Sequence, residues 1–404
     1  MITELRISNF YSFGDEQTVI QFYKGGKKPE NGYYQYKDKK ISLIQGFFGA
    51  NASGKTNVLR AIEALSYWII IGESSTNTQR VIKNLNEPNY SKTNKNKPIK
   101  LGGNFLINNN LYSYDIELTD SLILRETLKT IDIKSGKEEM LFSIEEEGYS
   151  FSKSLIDAKS IFGYTKKKTK TALSLLLLIE HPVVKELQTF FNGVSYVSII
   201  DNSNVSDVIS YIFNKFNKDD IQEVETNQNS VNLALTFLKL FDDSIINLDF
   251  NTDDNKSIKV EIEHRDFYSK VPIAMESRGT QELFSYIVKI INCLKNGGIV
   301  VYDEINRYFH PHIQMAIIKL FLDPDLNKNN AQLFFSSHDH QILNELALDQ
   351  IHIVEKEDGF STVTKLSQFD NSATRDNITK KYSLGVFGGV PDIIDFKHGL
   401  RQVL

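Results

Sequence analysis

The chain has 404 residues, 41% hydrophobic and 24% charged, which is the balance of a soluble globular protein with room for two or three structural units. Its formal charge of −5 argues against a globally basic nucleic-acid binder, although a local basic surface remains compatible with it. The single cysteine, Cys293, has no partner for an internal disulfide, Met1–Arg6 lacks the basic-then-apolar order of a signal peptide, and the most apolar run, Leu173 to Ile179, is too short to cross a bilayer. A cytoplasmic location without membrane attachment is expected.

Residues 1–23 alternate apolar and polar side chains around turn residues, as in two strands at the start of a sheet. Ser42 to Phe47 reads as a buried strand, and Thr56 to Ile71 carries Val58, Leu59, Ile62, Leu65, Trp68 and Ile69 at helical spacing. Asn84 to Lys100 is rich in Asn and Lys and contains Pro88 and Pro98, so a mobile surface loop is expected. Leu111 to Leu118 alternates as a half-buried antiparallel strand. Residues 155–247 read as helical, most clearly over Val184 to Phe191 and Val231 to Phe241, with no heptad pattern sustained enough for a long coiled coil. Beyond about residue 270 the pattern is α/β: strands at Ile299 to Tyr302, Gln332 to Ser336 and Ile351 to Glu355, helices at Ile313 to Leu322 and His340 to Leu348. Four parts are expected: 1–75 and 271–404 as the two pieces of a split nucleotide head, 76–154 as a β lobe, and 155–270 as an inserted, mainly helical lobe.

Gly49-Ala50-Asn51-Ala52-Ser53-Gly54-Lys55-Thr56 fits the P-loop pattern of Gly, four residues, Gly, Lys, Ser/Thr, between a strand and a helix. The glycines let backbone N–H groups turn towards phosphate oxygens, and the helix N-terminus adds partial positive charge. Lys55 supplies a point charge to the β- and γ-phosphates, and the Thr56 hydroxyl suits Mg²⁺. Ile299 to Tyr302 ends in Asp303 and Glu304, read as a Mg²⁺-holding acid and a group that orients the attacking water; a strand followed by an acidic turn is the competing reading. Ser277, Gly279 and Gln281 stand at the start of a helix over Glu282 to Leu294, where a second anion site competes with a plain helix cap. His338 closes an apolar strand, placed to report on a γ-phosphate or its water. His310, His312, His338 and His340, as His-x-His twice with no cysteine nearby, are weak evidence for a zinc site, and Pro311 suggests a loop closing onto the next helix. Lys166-Lys167-Lys168 with Lys170 is the one dense basic run, read as a solvated face or as a contact to nucleic acid or an acidic partner.

In this order, the P-loop, Ser-x-Gly-x-Gln signature, acidic strand end with adjacent Glu and closing His resemble the motifs of ABC-type ATPases. Ile7 to Phe13 and Asn57 resemble the RecF/SMC branch. The chain is similar more narrowly to stand-alone RecF/SMC-like ATPases of bacterial defence and abortive-infection loci, among them the ATPase components of Septu-type and PARIS-type systems. That likeness rests on Glu276 to Gln281, Asp303 through Pro311, Ala331 through Asp339, Asp349 to Ile351 and the closing Tyr382 to Pro391. The resemblance covers both ends well and the middle in outline. It departs at Arg278, where the signature usually has glycine, and at Tyr11, where repair ATPases are often basic; no glutamine between 75 and 160 is assignable to a Q-loop.

The resemblance implies an ABC-type P-loop head with an antiparallel β lobe and a helical lobe, using ATP and Mg²⁺. It implies a head-to-tail homodimer whose P-loops face the partner copy's Ser277 and Gly279, with Asn51, Ala52, Ser53, Gly54, Lys55, Thr56 and Asn57 around the phosphates. Relatives act as sensors that hold or release an effector, a nuclease or toxin encoded next door. A DNA-repair ATPase acting directly on DNA, or a scaffold that binds ATP with little turnover, are the alternatives.

Overall fold

The structure is a computed structural model, and it describes residues 1–72, 87–119, 122–132, 135–164, 169–192, 194–197, 228–252, 258–369 and 377–390. In chain order the strands are β1 (Ile2–Ser8), β2 (Thr18–Gln21), β3 (Tyr23–Gly25), β4 (Tyr33–Tyr36), β5 (Lys39–Ser42) and β6 (Ile44–Phe48), followed by helix α1 (Lys55–Ile70). Next come β7 (Ile99–Ile107), β8 (Asn110–Leu118), β9 (Ile123–Ile131), β10 (Glu138–Glu145), β11 (Gly148–Phe151), α2 (Lys159–Tyr164), α3 (Ala172–Leu178), α4 (Pro182–Asn192) and β12 (Val194–Val197). The chain continues through α5 (Gln228–Phe241), β13 (Ile245–Thr252), β14 (Ile258–His264), β15 (Val271–Pro272), α6 (Arg278–Asn296), β16 (Ile299–Tyr302), α7 (Pro311–Leu322) and β17 (Gln332–Ser337). It closes with β18 (Ile351–Glu357), β19 (Phe360–Lys365) and α8 (Ile378–Ser383).

The central sheet runs β12-β16-β17-β6-β18-β19, parallel except for the last pair. Its strands are apolar on both faces because both are covered. Ile299, Val301, Phe334 and Phe47 point into one core, and Val300, Tyr302, Leu333, Phe335 and Phe48 into the other, as a period of two requires. The first core holds α1 between this sheet and a seven-stranded antiparallel sheet, β11-β10-β9-β8-β7-β1-β2. The second is filled by α5, α6, α7 and the β13-β14-β15 sheet. Gln332 stitches the two large sheets together: its Oε1 accepts from Ile2 N–H at 2.7 Å and its Nε2 donates to the carbonyls of Ile2 and Ser42. The far end of α1 is fixed as well. Thr171 Oγ1 donates to the Trp68 carbonyl, while the buried Glu126 of β9, raised by burial to about 7, accepts the N–H groups of Ala172 and Leu173 that open α3.

Three expectations change. Residues 155–247 are helical in part, but β12 joins the edge of the central sheet beside β16 and β13 begins at Ile245. Four residues of strand are too few for a period of two to announce itself. Residues 340–348 form no α-helix; a 3₁₀ turn over His340–Glu345 and another at Leu348–Gln350 replace it, the first capped by the Asp339 side chain. The described part of the Asn/Lys-rich segment is tied down: Asn9 Nδ2 donates to the carbonyls of Asn94 (3.1 Å) and Lys97 (2.7 Å), and Asn89 is buried. The Lys166 to Lys168 run lies outside the described residues. Among the described residues no helix is long and apolar enough to cross a membrane.

Candidate functional site

Because β6, β16 and β17 are parallel, the turns leaving their carboxyl ends collect at one edge of the sheet, the usual ligand position in such folds. The first turn is the P-loop. Gly54 caps α1 with φ 113°, and a Cβ there would run into the hydroxyls of Ser12 and Ser361. Those hydroxyls clamp the loop from beneath. Ser361 Oγ donates to the Ser53 carbonyl at 2.5 Å and lies 2.7 Å from Ser12 Oγ, which accepts from Asn57 Nδ2 at 2.8 Å. The closing glycines pack on the start of the same loop: a Cβ on Gly389 would lie 3.3 Å from Gly49 Cα, and Gly389 N–H donates to Glu355 at 3.0 Å. Pro391 of that closing motif lies outside the described residues.

Lys55 is buried, and its Nζ donates to the carbonyls of Gly49 (2.9 Å) and Ala50 (2.8 Å). Burial pulls its ammonium down to about 8, against the attraction of Asp303 and Glu304. Thr56 Oγ1 donates to Asp303 Oδ1 at 3.2 Å, and Ser336 Oγ donates to the same oxygen. Burial holds the Asp303 carboxyl above its usual range, with the bonds from Ser336 and Thr56 opposing. Its other oxygen, Oδ2, is buried and accepts no hydrogen bond from the described residues. An orphaned carboxylate oxygen beside a threonine hydroxyl is a donor set that fits a hard divalent cation such as Mg²⁺.

Ser336 also accepts the Glu304 N–H at 2.8 Å, so one hydroxyl positions both acids. Glu304 sits at φ 53°, and Ala52 and Tyr11 share this left-handed region at 63° and 49°. Non-glycine residues hold such conformations at a cost of about 1–3 kcal/mol each, and they gather at functional sites. Glu304 Oε1 lies 3.9 Å from His338 Nε2, both side chains about one-third exposed. Burial, and then Lys55, hold the His338 imidazole below its usual value, with the two acids and the Gly49 backbone opposing. Asn306 Oδ1 accepts from both Ser337 Oγ and His338 N–H at 3.0 Å, tying the turn after β16 to the turn after β17. Beside Asn57 a cavity of about 400 Å³ opens, lined by Tyr11, Ser12, Asn57, Asn89, Tyr90 and Lys356, with the Arg60 guanidinium 5.0 Å from the Tyr11 ring.

The structure therefore brings Lys55, Thr56, Asp303, Glu304 and His338 together, and Ser277, Gly279 and Gln281 elsewhere. Ser277 is the N-cap of α6: its Oγ accepts from Thr280 N–H at 3.1 Å and lies 2.8 Å from Thr280 Oγ1. Gln281 Nε2 donates to the carbonyls of Ala274 and Glu276 at 3.1 and 2.7 Å. Gly279 is needed for packing, since a Cβ there would lie 2.7 Å from the Phe241 ring. His310 is the N-cap of α7, its Nδ1 accepting from His312 N–H at 3.3 Å. Sequence reasoning gave no role to Ser12, Ser361, Ser336 or Asn306. Ser336 carried a faint signal, being polar at the end of an apolar strand; the others act across large sequence separations and carried none.

The comparisons with known proteins agree with this fold. The chain resembles a solved SMC head bound to the C-winged helix domain of ScpA, with a TM-score of 0.55 at 13% identity over 90% of this chain and 96% of that one. A second likeness is to the Smc head domain with a coiled coil and joint from Pyrococcus yayanosii, with a TM-score of 0.48 at 12% identity over 95% and 99%. The first shows the fold: mixed α/β with antiparallel sheets, as in that SMC head. No curated protein matches the sequence. A family model described as "AAA domain, putative AbiEii toxin, Type IV TA system" matches residues 45–344, from the strand before the P-loop to the turn after His338, and the chain belongs to that family.

Proposed function

We propose that the protein is a Mg²⁺-dependent ATPase that closes as a head-to-tail dimer around two ATP molecules and so controls a partner effector, a nuclease or toxin, in bacterial anti-phage defence. One observation carries the catalytic part: the buried, unsatisfied Asp303 Oδ2 beside the Thr56 hydroxyl, within a turn cluster that also holds Lys55, Glu304 and His338. Thr56 and Asp303 would hold Mg²⁺, which when bound would neutralise charge on the phosphates. Lys55 and the N–H groups of residues 51–56 bind the phosphates, and Asn57, Ser12 and Tyr11 border the cavity for the base. Glu304 takes a proton from water as its oxygen bonds to the γ-phosphorus; the bridging P–O bond breaks, its electron pair leaves with ADP, and phosphate is released. His338, kept neutral at pH 7 by its environment, donates or accepts a hydrogen bond at that phosphate.

Under this reading residues 1–75 and 271–404 form the nucleotide head together with its edge strand β12, and the rest of 76–270 carries the state of the head to the effector. The family's description, which mentions a toxin and a toxin–antitoxin system, supports the defence role. The SMC head bound to a ScpA domain is a precedent for a head that carries a partner protein. The test has two arms. Phosphate release should be present in the wild type and absent in Lys55→Ala. Phage plating on cells carrying the gene with its neighbours should be reduced, and restored by the same substitution. Equal turnover in both proteins contradicts the ATPase, and equal plating contradicts the defence role.

A further inference from the structure

A group of exposed apolar side chains takes no part in the steps above. Tyr268 and Phe267, in the turn between β14 and β15, are 104% and 60% exposed, and Met275, ahead of α6, is 78% exposed. Leu240 near the end of α5 and Ile246 are exposed as well. Ile246 is the extra residue of a β-bulge, since the register with β14 shifts between Ile245 and Asn247, and the bulge turns it away from the core that buries Ile245.

The segments that carry these five side chains meet at one buried residue. His264 closes β14, and the Phe267 ring stacks on its imidazole at 4.7 Å and 26°. Its Nδ1 lies 2.8 Å from Ser244 Oγ and 4.0 Å from Asp242 Oδ2, in the link between Leu240 and Ile246. Its Nε2 lies 2.9 Å from Oε1 of Glu276, the residue after Met275. One exposed apolar side chain is ordinary, but a cluster with two aromatic rings and a methionine has the composition of a protein-binding core.

The charges beside it set the chemistry of the partner. Between residues 239 and 276 the described residues hold seven acids and four bases. Asp249 and Glu261 are cross-strand partners, and Glu263 shares their face, opposite the buried Val260, Ile262 and His264. Lys270 offsets part of this charge, its Nζ 2.9 Å from Asp249 Oδ2. A second copy docking through the same face would set carboxylates against carboxylates, which repel. A partner that is apolar and basic meets no such opposition.

Building on the effector reading, we propose that this face is where the effector protein docks, through an apolar segment flanked by lysine or arginine. Tyr268 and Met275 are the anchors, and the partner's basic groups meet Glu261, Glu263 and Asp266. Docking there bears on the Phe267 ring and so on His264, whose contact with Glu276 reaches the residue beside the α6 cap. The same face thus joins the effector to the turn at 276–281.

Co-expression with the tagged product of the adjacent gene tests this. The wild-type chain should be retained on that protein, less so as salt is raised. Tyr268→Ser combined with Met275→Ser should weaken retention by about a hundredfold or more, with thermal unfolding and phosphate release as in the wild type, because both side chains lie at the surface. Equal retention of the double variant, or retention indifferent to salt, overturns the docking face and leaves the effector reading standing. A wild-type chain that is not retained overturns it too, and phage plating then decides separately whether the defence reading survives. A dimer of the chain alone that the double variant loses assigns the face to a second copy, against the proposal.

Discussion

The two turns that the proposed function assigns to phosphate, 49–56 and 276–281, are built on opposite plans. The first is held from far away: Ser53 by Ser361, Thr56 by Asp303, Asn57 by Ser12, and the Gly49 end by the closing glycines. The second is nearly self-contained. Ser277 and Gln281 make their hydrogen bonds near by, within residues 274–281, and the turn's distant ties are Glu276 Oε1 to His264 Nε2 at 2.9 Å, Gly279 against the Phe241 ring and Arg278 beside the Tyr308 ring. A turn braced by many distant residues is preorganised for chemistry, and the strained Ala52 within it is what such bracing can sustain. A turn whose hydrogen bonds are mostly local keeps an outward side, with the exposed Arg278 upon it. The contrast suggests that one half of the site is complete in each protomer and the other is offered to a second copy.

Substitutions can break or sharpen that contrast, starting with the largest effect. Glu304→Gln should lower kcat by roughly a thousandfold with ATP binding kept, read by phosphate release and nucleotide binding together. A smaller loss would move the proton acceptor elsewhere. Ser336→Ala removes the donor to Asp303 and the acceptor of the Glu304 N–H at once, and should lower kcat by about tenfold or more. Wild-type turnover there would show that the bracing is not what places the two acids.

The pH profile follows from Lys55. Its ammonium is lowered to about 8 in the free protein, and phosphate binding needs the charged form; kcat/KM for ATP, which reports the free enzyme, should therefore decline as pH rises through about 8. A profile flat to pH 9 would contradict the burial of that charge. Last comes the self-contained turn. Gln281→Ala loses two bonds to the carbonyls before α6 and should cost about 1 kcal/mol in thermal or denaturant unfolding, with ATP affinity of the separate protomer unchanged. A fall in that affinity would place the turn at its own P-loop, against the structure.

The site was legible in the sequence where it is local. The P-loop is contiguous, and apolar runs announce β16 and β17 because buried parallel strands need no polar face. The expected Glu282 to Leu294 helix is longer, Arg278–Asn296, because Ser277 is its cap rather than a residue ahead of it. Illegible were the bonds that join distant segments, Asn9 to 94–97 and Ser361 to Ser53, since a lone serine or asparagine carries no sign of its partner. The 3₁₀ turn at His340–Glu345 was hidden for another reason: Ile342 and Leu343 are buried, but over six residues an apolar pair fits either helix type.

The measurement that bears most directly on the dimer is light scattering of Glu304→Gln protein with and without Mg²⁺ and ATP. The account predicts a monomer without nucleotide and a dimer with it, lost again on adding Lys55→Ala. A monomer under both conditions would contradict it.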